Sequence, residues 1–183
     1  MTTLLRLGLD LGNGSVKVWG PAGGLQLPAS VATSAGRGLS RAVGLATVKP
    51  PLHVRTAAGA FYLGPGAHDW GRPVENMDHE RFTGTPELRA LVYGALGQYL
   101  TQAAGGATGA PDPAAELSLT VGLPIETLSG AEEGVKATVA STRRWLEGAH
   151  AWEADDRPYA VTVRSVAITS QPVGALFDYL LAE

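Results

Sequence analysis

The first 30 residues alternate short apolar segments with tight reversals, and this pattern restricts the available folds more than any other feature of the chain. Residues 4–10 are almost wholly apolar and end in an aspartate, which indicates a buried strand. Residues 15–19 alternate polar and apolar side chains and predict a second strand. The Asn13-Gly14 dipeptide between them tolerates positive φ at both central positions of a hairpin turn. With a third strand at residues 24–28, the sequence predicts an antiparallel three-strand meander.

Strands and helices alternate in the rest of the chain. Thr85 and Pro86 open the first predicted helix, as its N-cap and its first helical residue. Ser129 and Glu132 are spaced as a capping box and predict a second helix, which ends at Gly148. The other predicted elements are two short strands, two longer strands and a final helix, at residues 52–56, 60–63, 116–121, 159–168 and 173–181. This order predicts an α/β fold in which helices cover a mixed sheet.

Composition and charge exclude several classes of function. The chain contains no cysteine, which excludes disulfide frameworks, thiolate zinc sites and iron–sulfur clusters. With 14 basic and 17 acidic side chains the net charge is −3, so direct binding to nucleic acid is not expected. The sequence shows neither a signal peptide nor an apolar segment of the roughly 20 residues that span a bilayer. We therefore expect a cytoplasmic protein that has no membrane partner.

The hairpin between the first two predicted strands carries the residue types that a triphosphate needs. Gly12 and Gly14 have no Cβ, so their backbone N–H groups can approach phosphate oxygens closely. Asn13 or Ser15 can add a side-chain donor, and Lys17 supplies a positive charge for β- or γ-phosphate oxygens. These residues are the candidate nucleotide-binding residues.

The aspartate that ends the first strand, Asp10, is the candidate metal ligand. It would not contact phosphate directly, because like charges repel. Its expected role is to hold a Mg²⁺ ion, directly or through water, that bridges the phosphates. The segment is not a Walker A loop, which requires Gly-Lys-Ser/Thr, nor a dinucleotide fingerprint, because a strand rather than a helix follows it. The alternative interpretation is structural: a Gly-Asn-Gly hairpin after an aspartate that ends a strand.

Two further polar residues follow predicted strands. Gln171 begins the last predicted helix, where a glutamine can orient a water molecule for attack on a γ-phosphate. The alternative is that it belongs to an ordinary helix start. Glu126 follows the strand at residues 116–121, at a carboxyl end where ligands gather in open α/β sheets. The Gly-Leu-Pro segment that precedes Glu126 is more typical of a turn than of a site.

Three segments, in the right order along the chain, resemble segments of the actin-like ATPases. Residues 10–17 look like the first phosphate loop of the actin and Hsp70-type ATPases. Residues 121–124 resemble the Gly-Leu-Pro segment of the plasmid-segregating ParM/StbA group and of archaeal actin-like proteins. Residues 167–177 resemble the stretch that carries the water-orienting glutamine of actin. The resemblance implies that Gln171 and Asp10 are catalytic.

The resemblance also implies a domain organisation. The fold would be a ribonuclease-H-like/actin-like ATPase domain, with a mixed five-stranded sheet flanked by helices and a small subdomain inserted at residues 32–84. Actin-like ATPases have a second phosphate hairpin of the Asp-x-Gly-Gly-x-Thr type and a later glycine-rich adenosine-binding segment, and neither occurs in this sequence. Residues 1–183 are therefore expected to be the first, N-terminal domain without the second.

A function follows from the same resemblance. The full-length protein would bind Mg-ATP in a cleft between its two domains, hydrolyse it and form filaments that segregate plasmid or phage DNA through a DNA-bound adaptor. The domain alone would be inactive.

Three alternatives stay open. The chain could belong to another ATPase of the superfamily, such as a sugar kinase or a chaperone-like form. A nuclease of the ribonuclease-H fold also begins with an aspartate at a strand end, but it needs further carboxylates, for which Glu126 is the one good candidate. A non-catalytic assembly module is the third alternative.

Overall fold

The structure, a computed structural model, describes residues 4–34, 50–75, 82–105 and 115–171. These ranges contain ten strands: β1 Leu4–Leu11, β2 Ser15–Gly20, β3 Gly23–Pro28, β4 Val31–Thr33, β5 Leu52–Thr56, β6 Gly59–Leu63, β7 Arg72–Pro73, β8 Ala115–Leu123, β9 Gly148–Ala154 and β10 Arg157–Ser170. They also contain the helices α1 Ala67–Trp70, α2 Pro86–Ala103 and α3 Glu132–Leu146, and a 3-10 helix at Ile125–Leu128. The predicted helix at residues 173–181 lies outside the described residues. None of the helices in the described ranges has the length and apolar character needed to cross a membrane.

The strands form a single mixed sheet in the order β3-β2-β1-β8-β10-β9-β5-β6-β4-β7. β1 is antiparallel to β2 and parallel to β8, and β10 is also parallel to β8. The predicted α/β class with a mixed sheet is confirmed, but the sheet has ten strands rather than five. The additional strands extend it beyond β10, because β9 pairs with β10 and β5 pairs with β9 through Val54 and Ala154. That residues 32–84 form a separate subdomain remains a prediction.

The turn between β1 and β2 differs from the sequence expectation in its backbone conformation. β1, β2 and β3 form the predicted meander, but neither Asn13 nor Gly14 has a positive φ. The left-handed pair is Asp155-Asp156, with φ of 47° and 63°, in the turn between β9 and β10. Short polar side chains such as aspartate tolerate this conformation better than most residues. This turn joins β10 to β9, a strand that the sequence pattern did not predict.

The two long helices begin in different ways. In α2 the predicted cap is confirmed, because Thr85 Oγ1 accepts a hydrogen bond from the Leu88 N–H at 3.4 Å and a proline follows the cap. In α3 the predicted capping box is wrong, since Ala131 is the N-cap and makes no side-chain cap hydrogen bond. Ser129 donates instead to the Glu126 carbonyl at 3.0 Å. The 3-10 helix ends just before this serine, so its hydroxyl completes that turn rather than the next helix.

One face of the sheet is buried beneath α2 and α3, and the opposite face of β1 is open. On β1 the buried Leu7, Leu9 and Leu11 alternate with the partly exposed Gly8 and Asp10. Full burial of one such leucine stabilises the fold by about 1.5–3 kcal/mol. The leucines therefore anchor β1 to the core, and this anchoring holds Asp10 on a rigid strand at the open face.

Candidate functional site

The carboxyl ends of three parallel strands meet at one edge of the sheet. Asp10 on β1 is paired with Gly122 on β8, and Gly122 is paired with Thr169 on β10. The antiparallel strand β2 places Lys17 directly opposite Asp10. Gln171 follows β10 by one residue, and an open groove of about 730 Å³ is lined by all five of these residues. The carboxyl edge of an open α/β sheet is the usual place for a ligand.

A bulge in β10 decides which of its residues reach this groove. Val161 and Val163 are buried, so odd-numbered positions face the core in the first half of the strand. The register shifts between Val163 and Ser165, after which Val166 is the buried position. An inserted residue in a strand exchanges its two faces beyond that point. The bulge therefore places Thr169 on the open face, beside Gly122.

Both carboxylate oxygens of Asp10 are occupied by donors. Gln171 Nε2 donates to Oδ1 at 2.6 Å, and Lys17 Nζ donates to Oδ2 at 3.3 Å. The side chains of Lys17 and Asp10 are 54% and 34% exposed, so water screens this ion pair. The site thus consists of one carboxylate held between a neutral amide and a cation, all within reach of solvent.

The hairpin residues occupy three different environments. Gly12 closes the turn by donating its N–H to the Ser15 carbonyl at 3.1 Å, and a Cβ on it would lie 4.0 Å from both Asp10 Oδ1 and Gln171 Nε2. Asn13 and Gly14 form the exposed tip, where a Cβ on Gly14 would meet no atom of the described part of the chain within 4 Å. Ser15 Oγ accepts a hydrogen bond from Gln26 of β3 at 3.1 Å. Gly12 therefore adjoins the cluster around Asp10, and the tip is open to a ligand.

The groove also contains residues that the sequence did not mark as a site. Thr120 and Gly122 of β8 line it together with Thr169 and Ser170. A signal was available on β8, where polar or small residues alternate with buried leucine and valine and therefore share one face. Glu126, by contrast, is exposed in the 3-10 helix and is not among the residues that line the groove.

Comparisons with known proteins place the chain in a family. Residues 8–174 match the family described as "Actin like proteins N terminal domain". No curated protein sequence matches the chain at a significant level.

Solved structures share the fold at low sequence identity. The apo ParM protein of psk41 superposes with a TM-score of 0.69 at 16% identity, over 96% of this chain and 52% of that chain. Ta0583, an archaeal actin homolog, superposes with a TM-score of 0.64 at 20% identity, over 98% of this chain and 48% of the Ta0583 chain. The AlfA filament structure from B. subtilis plasmid pLS32 superposes with a TM-score of 0.62 at 18% identity, over 94% of this chain and 58% of the AlfA chain.

The predicted resemblance and fold class are confirmed by these matches. The chain spans about half the length of the solved structures that it matches. Since the family match extends over residues 8–174, this chain belongs to the actin-like proteins and represents their N-terminal domain.

Proposed function

We propose that this domain is the N-terminal half of a ParM-like ATPase that binds Mg-ATP in a cleft, hydrolyses it and forms filaments. The observation that carries the proposal is the cluster in which Gln171 and Lys17 both contact Asp10 at the carboxyl edge of the sheet. Structures of two relatives support it, since one of Ta0583 is a complex with ADP and one of AlfA is a filament bound to AMPPNP. The second wall of the cleft would come from a second domain.

The residues at the groove fit a magnesium nucleotide. Mg²⁺ prefers oxygen ligands and is commonly held by one or two carboxylates together with substrate phosphates, and Asp10 offers such a carboxylate at the open face. When bound, the ion would neutralise charge on the phosphates and on the group that leaves. Phosphate oxygens would compete with Asp10 for the Lys17 ammonium, which is more than half exposed and free to turn. The open hairpin tip at Asn13 and Gly14 offers further donors.

Gln171 is suited to hold the attacking water. Its Nε2 is engaged by Asp10 at 2.6 Å, which leaves its Oε1 as an acceptor for a water proton. Phosphoryl transfer depends mainly on positioning and electrostatic stabilisation, so an oriented acceptor of this kind accelerates hydrolysis without becoming charged. Asp10 would thus serve two purposes, as the metal ligand and as the anchor of the glutamine.

The cellular role extends this proposal further. Filament formation would serve plasmid or phage DNA segregation in the cytoplasm, and a plasmid role is in line with the filament of AlfA, which comes from a B. subtilis plasmid. A DNA-bound adaptor would link the filament to its cargo, because the net charge of −3 does not favour direct binding to DNA.

The proposal is tested by comparing this chain with the full-length protein that contains it. In light scattering, the full-length protein should assemble with Mg-ATP and should fail to assemble when EDTA removes the metal. The isolated chain should bind Mg-ATP weakly in calorimetric titrations and release no phosphate in a steady-state assay. Sustained ATP turnover by the isolated chain would contradict the two-domain site, and a full-length protein that never scatters light with Mg-ATP would contradict the filament.

A further inference from the structure

We infer that Gly122 is a positioning residue for Gln171. Because Gly122 has no side chain, the glutamine amide can cross β8, which lies between β10 and β1, and reach Asp10. The structural part of this inference depends only on the contacts around Gly122. Its consequence for ATP hydrolysis rests on the function proposed above for Gln171.

The sheet geometry requires this crossing. β8 lies between β1 and β10, and neighbouring strands are about 4.8 Å apart, so β10 and β1 are separated by roughly 10 Å. Gln171 nevertheless donates to Asp10 on β1 at 2.6 Å. Its side chain passes directly over Gly122, where a Cβ would lie 3.4 Å from Gln171 Cγ and 3.8 Å from its Cα. A side chain larger than a methyl group would therefore occupy the path of the glutamine.

Backbone conformation does not explain the glycine. Gly122 is not among the described glycines that adopt a positive φ, and it lies inside a regular strand ladder between β1 and β10. Glycine within a strand weakens it, because the unfolded chain gains entropy and no side chain packs on the neighbours. Ser118 and Thr120, at alternate positions on the same face of β8, both carry side chains. Gly122 lines the groove, and the only side chain among the three nearest contacts of an added Cβ is that of Gln171, so space for this glutamine accounts for a glycine here.

The expected consequence is a change in rate rather than in affinity. The phosphate-binding groups, Lys17 and the hairpin, lie on β1 and β2 and do not depend on Gly122. Moving a positioned group by about 1 Å lowers a rate by about 100-fold. Gly122→Val should therefore lower kcat for ATP hydrolysis by about 10- to 100-fold and leave KM for Mg-ATP within about twofold.

A series of substitutions tests the inference in the full-length protein and in this chain. Gly122→Ala adds only a methyl group at contact distance and should lower kcat far less than Gly122→Val, whose γ-carbons meet Gln171. Valine also favours strands, so the sheet itself should tolerate it. Ser118→Thr is the matched control, since it places a branched side chain on the same face of β8 away from the groove and keeps the hydroxyl that hydrogen-bonds with Ser165 at 2.8 Å. If circular dichroism shows that Gly122→Val is unfolded, Gly122→Thr, which has the same branched shape, takes its place.

The contact is measured independently of ATPase activity. The side-chain amide resonances of Gln171 in a ¹H–¹⁵N spectrum of this chain are assigned by their loss in Gln171→Ala. They should shift much further in Gly122→Val than in Gly122→Ala and stay in place in Ser118→Thr. Unchanged Gln171 resonances in Gly122→Val would overturn the inference, as would equal losses of kcat in the alanine and valine variants. If the wild-type protein hydrolyses no ATP, the proposed function fails, and the resonances still decide whether Gly122 positions Gln171.

Discussion

Replacing the Asp10 carboxylate with an amide separates the binding role of this residue from its contribution to the fold. Asp10→Asn keeps the shape of the side chain and an oxygen that can accept from Gln171, but it removes the charge that faces Lys17. The ion pair is exposed and contributes at most about 1 kcal/mol. Exchanging the charged acceptor for a neutral one weakens the Gln171 hydrogen bond by about 1 kcal/mol.

The free energy of unfolding should therefore fall by no more than about 2 kcal/mol, which lowers Tm by at most about 8 °C in a domain of this size. Binding should respond far more strongly. A lost charge-assisted contact to the metal amounts to about 1.5–3 kcal/mol, so the affinity for Mg-ATP should fall by about 10- to 100-fold. The affinity for ATP in the presence of EDTA should not fall, because Asp10 does not contact phosphate in the proposed site and its negative charge competes with phosphate for Lys17.

Calorimetric titration of the full-length protein, with and without Mg²⁺, measures the two affinities, and thermal unfolding measures stability. Glu116→Gln is the control, because Glu116 is a second carboxylate on the open face of the sheet, is paired with Arg164 and does not line the groove. It should leave both affinities unchanged. Equal affinity of wild type and Asp10→Asn for Mg-ATP would refute the metal role of Asp10, and nucleotide-dependent light scattering that survives Asp10→Ala would refute its role in assembly.

Three other predictions concern catalysis, packing and pH. Gln171→Ala should lower the rate of phosphate release by about 10- to 100-fold and spare filament formation; an unchanged rate would leave Gln171 as an ordinary helix start. Gly84→Ala should cost about 2–5 kcal/mol in urea unfolding, because φ is +78° and the new Cβ would lie 2.4 Å from the Trp145 ring. Gly105→Ala, with φ of +92° and no atom of the described residues within 4 Å of the new Cβ, should cost only the backbone strain of about 1 kcal/mol. Equal losses of unfolding free energy in the two variants would contradict the packing argument. Burial lowers the pKa of His150 below 6.5, so the folded state favours the neutral ring. The contribution of the neutral His150 ring to stability is therefore fully present above pH 6.5 and is lost as the pH falls below that value. His150→Gln should reduce the dependence of the unfolding free energy on pH below 6.5, measured by urea unfolding at a series of pH values.

Local patterns predicted the elements that depend on local interactions. The alternation of residues 4–28 predicted the meander, and the threonine before a proline predicted the start of α2. Where two local patterns competed, the prediction was wrong, because Ser129 completes the 3-10 turn and is not available to cap α3. The strand β9 was missed because glycine, alanine and glutamate, which are depleted in strands, make up most of it, and its pairing with β10 and β5 stabilises it. Strand formation depends on such partners more than on intrinsic preference.

For the site, the sequence by itself determined which chemical groups are present and which short element carries each of them. Asp10 at the end of an apolar strand, and Gln171 at the end of a long one, both follow from local patterns. Their meeting was decided by tertiary structure alone, because it joins residues 161 positions apart through the parallel register of β1, β8 and β10. The bulge before Ser165 moves the following side chains of β10 to the opposite face of the sheet. The absence of a side chain at Gly122 leaves space for Gln171 to cross β8. Register, bulges and free space are properties of packed strands, so they arise only when distant parts of the chain come together.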